Sequence, residues 1–134
     1  MSSLGNASLL LGRVLASVIF IIGGYGKLMG MAGTMGYFAK IGVPLPDIAY
    51  YVAVAVELGG GLLLLVGFQA RIVASVLAVF CVATALLAHT SFADMGQQTL
   101  FLKNLAMAGG FLAFAVAGAG AYSVDGRSSA VLAK

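Results

Sequence analysis

Four apolar runs divide the chain, at residues 8–29, 47–67, 70–89 and 100–122. Each is close to the about 20 residues that a helix needs to cross a bilayer. The runs lack the alternation of a strand and are rich in Ala, Leu and Gly, so they are predicted as helices. Little more than Gly67–Phe68–Gln69–Ala70 separates the second run from the third, which forces an antiparallel helix pair. An even number of spans puts both termini on one side.

The connections carry their own signals. Glycines between Gly30 and Gly36 should end the first helix. Met31, Met35 and Phe38 then recur at helical spacing, as in a short helix lying at the interface. Val43–Pro44–Leu45–Pro46 stops that helix, and Asp47 is placed to cap the second span. The third connection, residues 90–99, is polar and holds Asp94, Gln97 and Gln98. No repeat or low-complexity linker interrupts the chain. The expected fold is all-α: an integral-membrane four-helix bundle with antiparallel neighbours and a short interfacial helix between the first two spans, in a single domain over residues 1–134.

Composition strengthens the membrane reading. Of 134 residues, 62% are hydrophobic and only 8% charged, too few to cover the surface of a soluble domain of this size. The net charge of +3 is scattered, so nucleic acid is not an expected partner; the lipid bilayer is. The single Cys81 excludes an intramolecular disulfide and argues against dithiol redox chemistry. No Lys or Arg precedes the first run and Arg13 interrupts it, so residues 8–29 are read as a retained helix rather than a cleaved signal. The terminal side holds Arg13, Arg71, Arg127 and Lys134, against Lys27, Lys40 and Lys103 on the other, and this bias favours cytoplasmic termini.

Glu57 is the one acidic residue set inside an apolar run. It lies deep in the second run, about 15 Å from its start at 1.5 Å per residue. A carboxylate at that depth costs several kcal/mol unless it is paired, protonated or facing a wet cavity. Alternating helix directions bring Lys27, His89, Lys103 and Asn104 into the same half of the membrane, and either Lys27 or Lys103 is within reach as a partner. Tyr50, Ala53, Glu57, Gly60, Gly61 and Leu64 share one face of the second helix, with small residues that permit close approach. The candidate ligand or proton site is therefore Lys27, Glu57, His89, Lys103 and Asn104. No catalytic residue is assigned.

Each feature also has a plainer reading. Glu57 with a lysine can be an ion pair that fixes helix register, His89 a helix-end group, and Lys27 a side chain snorkelling to the headgroups. Arg13 and Arg71 read as cytoplasmic anchors, Cys81 as packing, and the five tyrosines as an interfacial belt. Gly59–Gly60–Gly61 fits helix packing rather than phosphate binding. One His and one Cys do not make a zinc set, so no metal is expected.

Gly12–Arg13, then Gly23–Gly24–Tyr25–Gly26–Lys27, Glu57–Leu58–Gly59–Gly60–Gly61, and Phe101–Leu102–Lys103–Asn104 come in an order that resembles that of the DoxX family of small bacterial inner-membrane proteins. Gly12–Arg13, Phe20 and Gly23–Gly24–Tyr25–Gly26–Lys27–Leu28 are similar to its opening block. Glu57–Leu58–Gly59–Gly60–Gly61, Gly67–Phe68 and Arg71 look like its second block. His89, Phe101–Leu102–Lys103–Asn104 and Gly109–Gly110–Phe111 look like its third, and the closing segment from Gly118 to Asp125 also fits. The resemblance implies four inner-membrane helices and kinship with a subunit of a thiosulfate:quinone oxidoreductase and with a protein linking a superoxide dismutase to a sulfurtransferase.

Three functions compete at this point. The first is an accessory factor or quinone-linked oxidoreductase subunit in redox or oxidative-stress handling, rather than a stand-alone enzyme. It would hold a quinone or small amphiphile in the polar pocket and meet a membrane or periplasmic redox partner. The second is a small proton-coupled transporter or proton pathway titrating at Glu57. The third is a structural scaffold. Faces such as Gly26–Gly30 are compatible with a homo-oligomer.

Overall fold

A computed structural model describes residues 1–132, and every regular element among them is helical. Helix α1 (Ser3–Met29) is capped by Ser2, whose hydroxyl accepts from the Gly5 amide at 3.1 Å. It gives way at Gly30 to α2 (Met31–Lys40), the short helix expected between the first two spans. Leu45, in the left-handed region at φ 49°, turns the chain, and Pro46 opens the second span where its missing N–H costs nothing. That span, Pro46–Val66, consists of α3 (Pro46–Val54), a π turn (Ala55–Gly59) and α4 (Gly60–Val66). After a tight turn follow α5 (Ala70–Ala88), α6 (Met95–Ala117) and α7 (Val124–Leu132).

Four of these helical stretches are long and apolar enough to cross a membrane: Ser3–Met29, Pro46–Val66, Ala70–Ala88 and Met95–Ala117. The middle two match the sequence expectation closely. The first begins at Ser3 rather than residue 8. The fourth begins at Met95 and ends at Ala117, where 100–122 was expected. Asp94 accounts for the early start, because its carboxylate accepts from the Gly96 amide at 2.8 Å and caps the helix. Gln97 and Gln98 therefore belong to the helix, not the loop. Gly118, at φ 79°, accounts for the early end.

The spans pack around Phe20, Leu64, Leu77, Cys81 and Phe111, with Phe20 and Phe111 edge to face at 5.3 Å between ring centres. The second span buries Tyr50, Ala53, Glu57, Gly61 and Leu64, five of the six residues assigned to one face from spacing. Spacing alone groups Arg71, Ser75, Ala78, Val82, Ala85 and His89 on one face of the third span, and of these Ala78 and Ala85 are buried. The span also buries Val73, Ala74, Leu77 and Cys81, while Arg71, Ser75 and Val82 lie outside. Its buried residues include Ala70, Ala78 and Ala85, while the larger Ile72, Val76 and Val79 face outward, so small residues let this span approach its neighbours. Val116 (77%) and Val79 (71%) stand on the outer surface, which lipid rather than water would solvate.

The chain ends meet at one end of the bundle, where the Asn6 side-chain oxygen accepts from the Ala121 amide at 2.9 Å. Arg13 is fully buried there, not an interfacial anchor. Its guanidinium donates to the carbonyls of Leu64 (3.2 Å), Leu65 (2.8 Å) and Tyr122 (2.6 Å). Leu64 and Leu65 lie in the last turn of the second span and Tyr122 in the turn before α7, so one rigid cation ties two distant segments together. Gly67 leaves the necessary space, since a Cβ on it would stand 2.5 Å from an Arg13 nitrogen. Asp125 completes the clasp by accepting from the amides of Gln69 and Ala70, both at 2.9 Å, at the start of the third span. Arg71 is exposed at this end, and Lys134 lies outside the described residues.

Candidate functional site

Glu57 stands in the π turn of the second span and is 8% exposed. Its carboxylate accepts from the Lys27 ammonium of the first span at 2.7 Å, the length of a charge-assisted hydrogen bond. Of the two lysines within reach by sequence, the partner is Lys27. Two glycines of the first span make the contact possible. A Cβ on Gly23 would lie 3.2 Å from the Glu57 carboxylate, and one on Gly24 would lie 2.5 Å from the Leu58 backbone nitrogen. The two backbones thus touch beside the charge. The π turn widens the helix by one residue locally and re-aims the side chains on either side of it. The Tyr50 hydroxyl donates to the Lys27 carbonyl at 3.2 Å, tying the same two spans together one step further along.

His89 follows the last residue of the third span, with Nδ1 2.8 Å from the Gln97 side-chain oxygen. With that oxygen accepting, Nδ1 carries the hydrogen and Nε2 is left to face other groups. Asn104 is buried on the fourth span, and its amide nitrogen donates to the Leu100 carbonyl at 3.0 Å. A second hydrogen on that nitrogen remains to be offered. Lys103 is exposed and makes no hydrogen bond or ion pair among the described residues.

All five residues picked out by sequence line one recess of about 530 Å³ among the four spans, to which the second contributes Glu57. Of the five, only Lys27 and Glu57 are hydrogen-bonded to each other among the described residues; His89, Lys103 and Asn104 line the same space. Phe20, Phe80 and Met107 supply apolar walls and Thr84 a hydroxyl. A second recess, of about 350 Å³, shares Lys27, Glu57, Phe80, Thr84 and His89 with the first and extends beneath α2.

Sequence reasoning passed over Thr84, Phe80 and the polar end of Tyr50. Thr84 carried a signal, as a hydroxyl set in an otherwise apolar stretch of the third span. The pair of recesses offers donors from Lys103, Asn104 and Lys27 and one carboxylate. That set suits an acceptor-rich small molecule. Among the described residues, no three His, Cys, Asp or Glu side chains come together as a metal would need.

Residues 8–90 match the family model described as DoxX. The chain is 41% identical over 128 residues to the inner membrane protein YqjF of Escherichia coli (strain K12), covering 93% of this chain and 95% of that one. It is 37% identical over 125 residues to the inner membrane protein YphA of the same organism, covering 89% of each. CatD of Bacillus subtilis (strain 168), which bears an oxidoreductase name, is 37% identical over 88 residues, 66% of this chain and 64% of that one. No solved structure matches the chain. Lys27, Glu57 and His89 fall inside the matched family region, and Lys103 and Asn104 inside the fourth span beyond it.

Proposed function

The chain belongs to the DoxX family, and from that premise we propose that it is an inner-membrane accessory factor or quinone-linked subunit in redox or oxidative-stress handling. Its ligand is a quinone or a small amphiphile of similar chemistry, held in the recess of about 530 Å³. One observation carries the reading. Five polar residues from four spans, each legible in the sequence, line one recess. The names of YqjF and YphA support the location, and the oxidoreductase name of CatD supports the redox connection.

The chemistry is simple. A quinone presents two carbonyl oxygens that accept hydrogen bonds, and Lys103 and Asn104 are donors without a committed acceptor for every hydrogen. Reduction of a quinone takes up protons, and a carboxylate–ammonium pair in contact with the recess can exchange them. The apolar walls of Phe20, Phe80 and Met107 suit the ring faces. Both termini lie in the cytoplasm in this reading.

Binding of a short-chain benzoquinone to the purified protein in lipid nanodiscs tests it. Wild-type protein binds saturably, and Asn104→Leu or Lys103→Met weakens binding about tenfold, the worth of one lost hydrogen bond to a donor of this kind. Lack of saturable binding by the wild type, together with an unchanged oxidative-stress phenotype for Glu57→Gln, defeats the proposal.

A further inference from the structure

The second recess has no role in that reading, yet it abuts the first across the Lys27–Glu57 pair. Phe80, Thr84 and His89 belong to both walls as well. Beyond these shared residues its character changes. Tyr37, Phe38 and Ile41 come from α2 and the turn after it, Val52 from the second span, and Leu87 from the third. No charged side chain lines it apart from the shared pair. Helix α2 buries none of its own residues and lies against the opening of the second span, as a roof over this space.

We infer that the two recesses are the head and tail lobes of one site, and that the ligand is a single-chain amphiphile: an acceptor-rich head against Lys103 and Asn104, and a flexible apolar tail under α2. The inference rests on the proposed function, because it takes the larger recess as the place of the head. The donors that the two lobes do not share, Lys103 and Asn104, lie in the first, while the residues peculiar to the second are apolar apart from Tyr37, and this difference complements a headed chain. Lipid is as apolar as the lobe, so moving a tail from one to the other gains little. The lobe acts by shape instead, seating the tail and thereby fixing the direction of the head.

Two probes and two variants test this. The probes are 2,3-dimethoxy-5-methyl-1,4-benzoquinone without a side chain and the same ring with a decyl chain. The variants are Ala83→Phe and Ala49→Phe, which fill the tail lobe from the third and second spans and leave the head lobe untouched. In nanodiscs of one lipid composition, both variants should bind the decyl quinone about tenfold more weakly than wild type. Affinity for the chainless ring should stay within about twofold of wild type. Equal decyl-quinone binding by wild type and both variants overturns the tail lobe and leaves the head recess standing. Binding of neither probe by wild type removes the head recess and the tail lobe with it. Should both variants fail to fold, a quinone with a diazirine at the chain end is crosslinked to wild type. Adducts on Tyr37, Phe38 or Val52 support the lobe, and adducts confined to outer residues such as Val79 and Val116 refute it.

Discussion

Two side chains set the character of the molecule, and they behave differently. Glu57 is held by a single cation, so removing that cation strands the carboxylate. Lys27→Met should lower stability by about 1–3 kcal/mol, and Lys27→Met with Glu57→Gln should regain most of the loss. Thermal unfolding in detergent measures both. Equal losses in the single and double variants would show that the pair is not coupled. Lys103→Met should leave the melting temperature unchanged, since Lys103 has no partner among the described residues. Arg13 is held by three carbonyls on two segments. Arg13→Lys should cost at least about 2 kcal/mol, because an ammonium cannot span that fork; a variant as stable as wild type would contradict this. Glu57 was legible in the sequence because a charge deep in an apolar run has few fates. The choice of Lys27 over Lys103 was not, since both were within reach. Arg13 was misread because its acceptors, at Leu64, Leu65 and Tyr122, are distant in sequence and are exposed only by where helices end.

Helix contacts extend the argument. The first and second spans meet backbone to backbone at Gly24, while a Cβ on Gly26 would find nothing within 4 Å. Gly24→Ala should therefore destabilise the protein by about 1–3 kcal/mol, and Gly26→Ala should be neutral or stabilise by up to about 1 kcal/mol through helix propensity. Similar melting temperatures for the two variants would place the close approach elsewhere. The buried face of the second span was readable because Tyr50, Ala53, Glu57, Gly61 and Leu64 recur at helical spacing. Its π turn left no trace in that pattern, as one extra residue in a turn barely disturbs the periodicity. The third span's inward face was legible only in part, since Ala78 and Ala85 are buried while Arg71, Ser75 and Val82, at the same spacing, lie outside. Leu77 and Cys81 fill the core as well. The fourth helix was displaced because glutamines after Asp94 resemble a loop until the cap is recognised.

The whole molecule divides its labour between two ends. At the terminal end, Arg13, Gly67 and Asp125 lock the first, second and third spans to the segment that follows the fourth. At the other end, the polar groups line open space. Cys81, the chain's one cysteine, sits fully buried between them. Its thiol should stay unlabelled by maleimide in the folded protein and react as the bundle opens, faster in Asp125→Ala than in wild type; prompt labelling of native wild type would contradict a closed core. The four-span layout was legible because hydropathy and length decide it. The division between a locked end and a hollow end was not, since it depends on how chain termini return to distant helices.

The pairing at the centre can be measured directly. Glu57 is the chain's only glutamate, so a 13C label in the glutamate carboxyl reports on that residue alone. With 15N on the lysine side chains, magic-angle-spinning NMR of the protein in lipid bilayers reads the carboxyl-to-ammonium separation. A separation below about 4 Å that vanishes in Lys27→Met is the expected result. A strong dipolar contact that survives Lys27→Met, or none in wild type, would contradict it.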